Sequence, residues 1–267
     1  MPFTVSHVAA VLPAYRVLSR ARLFSAAVIG SMVPDFGILL PGLFPRFQTH
    51  SLEALLTFCL PMGMTAYALT LLLIKPALLE VAPDGAYSRL LAAEAAPSAV
   101  PHNSLRAWVY AAAIILLGAI THLIWDGFTH ENARGVRMFP VLDSMGPEVE
   151  GHSIHVYRWL QYGSSALGLI AVMAALWLWL RHASAAKAPL RRLLGQRERR
   201  WWAALYTAAP VVAVGVSWWH TRAASTPVGA QLETMAVAGM RTSILSLLGV
   251  SVLVLIRLAS LRGAPQP

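Results

Sequence analysis

The sequence predicts an all-α fold: a polytopic membrane helix bundle with about five transmembrane helices plus a broken or re-entrant N-terminal segment. Composition is the first reason, because 57% of the 267 residues are hydrophobic and only 12% are charged, whereas soluble domains usually carry about 25% charged residues. The second reason is that five stretches approach the ~20 apolar residues needed to cross a bilayer. We therefore expect the lipid bilayer to be the main partner of the chain.

The first apolar stretch, 26–44, is predicted to be the broken or re-entrant element. Pro34 and Pro41 disrupt a regular helix, and Asp35 places a carboxylate in the middle of the stretch. Irregular backbone and a charge persist at membrane depth only where protein or a wet cavity surrounds them. We therefore expect this segment to pack against the helix bundle.

Five longer apolar stretches follow, separated by polar connectors. Their soft boundaries are 54–74, 107–128, 162–180, 203–219 and 242–256. The connector 181–200 is the most basic, which predicts that it faces the cytoplasm. Counting alternately from it places the connector 129–161 on the outer face.

Two halves with different content are predicted. Residues 1–161 hold the candidate metal site, and residues 162–267 form a C-terminal membrane half with three spans and the basic connector. The net charge is +9, but the basic residues lie between apolar runs, as expected for residues that flank spans. We therefore expect no nucleic-acid partner. The sequence leaves the oligomeric state open.

The sharpest local signal lies at the end of the second long stretch. His122 and Asp126 are four residues apart, so on a helix their side chains lie on one face, and His130 would continue that face by one turn. An imidazole and a carboxylate on adjacent turns supply two metal ligands. The alternative is a buried His–Asp hydrogen bond that ties two helices together.

Other histidines and one further aspartate extend this signal. His50 stands just before the first long span, and an up-down helix pair would bring it to the same membrane face as the end of the second span. Asp35 is either a ligand or a helix N-cap. His152 and His155 are three apart and would share a face if their connector were helical. The candidate ligands are His7, Asp35, His50, His122, Asp126, His130 and His155.

These ligand types predict the kind of metal. Cys59 is the only cysteine, which excludes a thiolate cluster and leaves nitrogen and oxygen ligands. Carboxylates combined with imidazoles suit zinc, manganese or iron better than calcium. We expect one or two divalent ions, most simply zinc.

The ordered motifs resemble those of known membrane proteins. The opening MPFTVSHVAAVLP, the Thr49–Ser51 THS and the later WLQYGSSALG resemble the bacterial family called domain of unknown function 4184, over about residues 1–170. More distantly, His7, the Pro34–Asp35 pair and the His122–Asp126 motif resemble bacterial membrane-bound metal-dependent hydrolases. The order is also similar to the zinc-dependent phospholipase C and single-strand nuclease fold, although the late His-x-x-x-Glu pair of that fold is missing here.

The resemblance implies a hydrolase in the bacterial cytoplasmic membrane, and the basic connector 181–200 predicts that its metal site lies on the outer face. It would act on a phosphoester or related ester, such as a phospholipid, with Asp35, Asp126 and His130 as catalytic residues. Second-layer or substrate contacts are expected from His152, Arg134, Arg158 and Gln161. The alternatives are an ion- or proton-coupled transporter, and a non-catalytic membrane protein with a structural metal or His/Asp network.

Overall fold

The computed structural model describes residues 4–39, 42–96, 104–149, 151–186, 192–226 and 228–263. Within these ranges the chain is helical except for one short β-hairpin and the connecting turns. Five helices are long and apolar enough to cross a membrane. The predicted all-α membrane bundle is therefore confirmed.

The N-terminal region is made of short helical pieces, as the prolines predicted. Helix α2 becomes a tighter 3-10 helix at Val33, just before Pro34, because proline has no N–H to continue the α-helical ladder. The pieces are the 3-10 helix Thr4–Ala14, α1 (Tyr15–Arg20), α2 (Phe24–Met32), the 3-10 helix Val33–Leu39 and α3 (Arg46–Thr49). The predicted broken segment is thus confirmed.

The five long helices extend beyond the predicted apolar stretches. They are α4 (Leu55–Val81), α6 (Leu105–Thr129), α9 (Val156–His182), α10 (Gln196–Ala223) and α11 (Val228–Gly263). The shorter helix α5 (Asp84–Ala95) follows α4. Ser104 caps α6, because its side chain accepts a hydrogen bond from Ala107 N at 3.2 Å.

The connector after α6 differs from its prediction. It contains α7 (Arg134–Met138), α8 (Pro140–Asp143) and the antiparallel strands β1 (Met145–Val149) and β2 (His152–His155). Helix α9 begins at Val156, so residues 156–161 are helical rather than part of the connector. The condition for a shared helical face of His152 and His155 is not met, because both residues lie on strand β2.

The chain forms two compact units. The first contains residues 1–65 and 98–176, and the second contains 66–97 and 177–267. The candidate metal ligands all belong to the first unit. In the second unit, Ala77 of α4 packs with Val254 and Leu258 of α11. The predicted boundary at residue 161, between the half with the metal site and the C-terminal membrane half, stays a prediction.

Glycines bring α2 and α6 into backbone contact in the first unit. A Cβ on Gly118 would lie 2.7 Å from Ser31 N and 2.8 Å from Ala27 O. A Cβ on Gly30 would likewise overlap the backbone of Ile115 on α6. Small residues allow this approach, which membrane helices use to pack without a strong hydrophobic driving force. The contact fixes the distance between the His122 turn and the broken segment.

A matched pair of glycines on α6 tests this packing. Gly118→Ala should destabilise the protein by about 1–3 kcal/mol, because the added methyl group overpacks the α2 contact. Gly127 has open space around its Cβ position, so Gly127→Ala should be neutral or stabilising. Thermal unfolding in detergent measures both. Equal effects of the two substitutions would show that α2 and α6 are not in close contact.

Candidate metal centre

Three separate parts of the chain meet at the C-terminal end of α6. His122 and Asp126 lie on α6, Asp35 lies in the 3-10 helix Val33–Leu39, and His50 directly follows α3. One ligand atom from each of these four residues lies within 4.8 Å of the other three ligand atoms. The predicted convergence of Asp35 and His50 on the His122–Asp126 turn is therefore confirmed.

The four nitrogen–oxygen distances in this group are close to those between ligands of one divalent ion. His50 Nε2 lies 3.2 Å from Asp35 Oδ1 and 3.4 Å from Asp126 Oδ2. His122 Nε2 lies 3.7 Å and 3.4 Å from the same two oxygens. Ligands about 2.0–2.2 Å from a tetrahedral ion lie about 3.3–3.6 Å from one another. The residues present thus match the size of a shared ion.

The second nitrogen of each imidazole fixes the orientation of its ring. His122 Nδ1 donates to Ser31 O at 2.8 Å, and His50 Nδ1 lies 2.7 Å from Thr49 Oγ1. Both rings therefore present Nε2 to the carboxylates, the arrangement typical of metal-ligating histidines. His122 Nε2 is buried and has no hydrogen-bond partner in the described part of the chain. Because such an atom is costly to bury, it supports a cation-binding centre.

Asp126 is shared between two sets of imidazoles. Its Oδ2 faces His50 and His122, whereas its Oδ1 lies 3.7 Å from His7 Nε2 and 3.6 Å from His130 Nδ1. The rings of His7 and His122 are stacked with centroids 3.9 Å apart. Among the described residues, Asp126 Oδ1 has no hydrogen-bond partner although it is buried. A second group of ligand atoms therefore surrounds this oxygen.

Burial keeps the imidazoles outside the membrane spans neutral. It lowers the pKa of His7 to about 3 and the pKa of His130 to about 4. Burial also lowers the pKa of His50, although the Asp35 hydrogen bond acts in the opposite direction. Neutral imidazole is the form that binds metal. These three side chains therefore need to lose no proton before binding an ion at pH 7.

Two contacts of the carboxylates come from residues that sequence analysis missed. Arg46 Nη2 forms an ion pair with Asp126 Oδ2, and Thr4 Oγ1 donates a hydrogen bond to Asp35 Oδ2. Arg46 carries the only formal charge in residues 36–52, which was a usable signal. No acidic residue stands three or four positions from it, so its partner 80 residues away could not be identified from spacing.

The remaining predicted residues lie around the centre or away from it. Gln161 Nε2 lies 2.8 Å from His130 Nε2, and its supporting role beside the centre stays a prediction. His155 Nδ1 lies 2.6 Å from Asp143 O, and His155 is not one of the four grouped ligands. Its role as a ligand stays a prediction. Arg158 lies 6.0 Å from the ring of Tyr157, Arg134 is exposed on α7, and the side chain of His152 is outside the described part of the structure.

The helices and the centre together define a class: a helical protein with five potential membrane spans and a buried His/Asp cluster that could hold a metal ion. The chain belongs to the family described as Domain of unknown function (DUF4184), which it matches over residues 1–256. The match extends well beyond the first 170 residues and includes α10 and most of α11. No curated protein and no solved structure matches the chain.

Metal binding can be measured as a gain in stability. Saturating zinc at about 100 times its dissociation constant should stabilise the protein by about 2.7 kcal/mol. His122→Ala should abolish this gain, because it removes a ligand on rigid backbone. His220→Ala, on α10 in the second unit, should retain it. The measurements are thermal unfolding with zinc or chelator, and elemental analysis. Equal zinc content in His122→Ala and wild type would contradict the centre.

Proposed function

We propose that the protein is a membrane-bound, metal-dependent hydrolase that acts on a phosphoester or related ester at the membrane surface. The observation that carries the proposal is the group formed by Asp35, His50, His122 and Asp126, with ligand atoms within 4.8 Å of one another. A purely structural His–Asp pair needs one imidazole and one carboxylate. This group has two of each, with His7 and His130 close by.

The graded exposure of the centre supports access for a substrate. The side chain of His122 is fully buried, whereas 19% of His130 and 42% of Arg46 is exposed. Both partly exposed residues contact Asp126, one at each carboxylate oxygen. A small molecule that enters from solvent therefore meets these two side chains first. A metal that only stapled helices together would need no exposed side chain beside its ligands.

Each residue has a proposed chemical role. Asp35, His50, His122 and Asp126 would hold a divalent ion, zinc being the simplest choice for this ligand set. A bound divalent ion supplies Lewis acidity, which activates water near neutral pH and balances charge on phosphoryl oxygens. Asp35 is a ligand or the general base, and its Oδ2 is held by Thr4. His130, which burial keeps neutral, would accept a proton from the attacking water and pass it to the leaving group.

A second ion would use the other oxygen of Asp126. His7 Nε2 and His130 Nδ1 lie 3.7 Å and 3.6 Å from Asp126 Oδ1. Sites that cleave phosphoesters commonly hold two metal ions close together. Gln161 would hold the ring of His130 through its 2.8 Å contact. His155 remains a candidate for a further ligand on this side.

The family match supports a shared fold but names no activity, so location and substrate are also proposals. The basic connector 181–200 favours a cytoplasmic position, which would put the centre at the outer face of a bacterial inner membrane. His50 precedes α4 and Asp126 lies near the end of α6, so both would lie near the membrane boundary if these helices span the bilayer. A lipid-borne ester would reach the centre there. A transporter is less well supported, because the ligands gather at one end of α6.

Hydrolysis by purified protein tests the proposal. Zinc-loaded wild type should cleave a chromogenic phosphodiester or monoester in detergent, and Asp126→Asn should lose metal and activity together. His130→Gln should lower kcat by about 10²–10⁴-fold if its imidazole transfers the proton from water to the leaving group. Glu53→Gln changes an exposed acid near His50 and should match wild type. A protein that binds zinc but cleaves no ester above the Asp126→Asn background would refute the hydrolase.

Metal stoichiometry tests the second ion separately. Wild type should bind two zinc ions per chain, and His7→Ala should bind one, because the ligands around Asp126 Oδ2 remain. The measurement is elemental analysis after dialysis against a zinc buffer. One ion in both proteins would rule out the second ion and leave the first centre intact.

A further inference from the structure

We infer that Arg46 and the loaded metal centre together form a binding site for a tetrahedral oxyanion, such as a phosphoryl group. This inference rests on the proposed function, because it names the charge of the group that the centre accepts. Arg46 was not a predicted site residue. It is the one cationic side chain with an ion pair to the four-ligand group, as far as the described residues show.

The backbone around Arg46 is built into the centre, whereas its guanidinium lies at the rim. Its carbonyl accepts hydrogen bonds from His50 N at 3.0 Å and from Thr49 Oγ1 at 3.2 Å. The same carbonyl lies 3.2 Å from His50 Nδ1. These contacts tie Arg46 to the orientation of the His50 ligand. Its side chain is 42% exposed, so the guanidinium can contact solvent and Asp126 alike.

Charge balance indicates what the site binds in each state. Without metal, two carboxylates face one guanidinium, and the remaining negative charge attracts a cation. A divalent ion neutralises both carboxylates, which leaves the charge of Arg46 uncompensated. A positive group beside a divalent ion in a half-buried site is unfavourable unless an anion is present. The centre therefore prefers an anion only after it has taken up metal.

Geometry places the anion between the two partly exposed side chains. Arg46 contacts Asp126 Oδ2, and His130 lies on the side of Oδ1. A ligand at this opening would meet the guanidinium on one side and the imidazole on the other. The planar fork of arginine matches two oxygens of a phosphoryl group. An entering anion would thus take over the hydrogen bond that Arg46 otherwise makes to Asp126.

The test uses inorganic phosphate and zinc with the full-length protein in detergent. Zinc affinity is measured in a chelator buffer, with and without phosphate. For wild type, phosphate should tighten zinc binding by about 10- to 100-fold, the range expected for charge-assisted hydrogen bonds. Linkage requires that zinc tighten phosphate binding by the same factor. No effect of phosphate on the zinc affinity of wild type would overturn the inference.

Substitutions of Arg46 locate the effect. Arg46→Gln should bind zinc at least as tightly as wild type without phosphate, and should lose the coupling. Arg46→Lys retains the positive charge and should retain part of the coupling between zinc and phosphate. Arg20→Gln changes an exposed arginine on α1 and should leave the coupling unchanged. Full coupling in Arg46→Gln would overturn the role of Arg46.

The outcome is independent of catalysis. Phosphate coupling that depends on Arg46 in a protein without esterase activity would support the anion site and contradict the hydrolase. Esterase activity with no phosphate coupling would contradict the anion site and support the hydrolase.

Discussion

The buried carboxylate of Asp126 is the constraint on which the first unit depends. A carboxylate near the end of an apolar helix is costly unless other groups compensate its charge. Here Oδ2 is contacted by Arg46, His50 and His122, and Oδ1 lies near His7 and His130. Because these residues come from separate segments, the broken N-terminal region and α6 must pack together to satisfy one side chain.

Close packing of small residues makes this arrangement possible. Gly118 lets α2 approach α6 until their backbones touch. Ser31 O then accepts the hydrogen bond from His122 Nδ1 at 2.8 Å, which turns Nε2 toward the carboxylates. The 3-10 helix that follows α2 carries Asp35 to the same place. Irregular backbone is thus tolerated here because protein surrounds it and because it supplies a polar group to the centre.

Much of this architecture could be predicted from local sequence patterns. The lengths of the apolar stretches located the long helices, since bilayer thickness sets how long an apolar span must be. Pro34 located the point where α2 becomes a 3-10 helix. The i, i+4 spacing of His122 and Asp126 predicted two ligands on one helix face. Long-range partners could not be predicted in this way. The ion pair of Arg46 with Asp126 spans 80 residues. His155 lies on a strand of a β-hairpin, and the helical spacing of residues in the sequence does not reveal the pairing of two strands.

Crystallography tests directly whether the four-residue group of Asp35, His50, His122 and Asp126 holds one ion. Crystals of the zinc-loaded protein, measured at the zinc absorption edge, should show an anomalous peak surrounded by Asp35, His50, His122 and Asp126, about 2.0–2.2 Å from each ligand atom. An anomalous peak elsewhere, or none at saturating zinc while these four side chains stay in contact with one another, would contradict it.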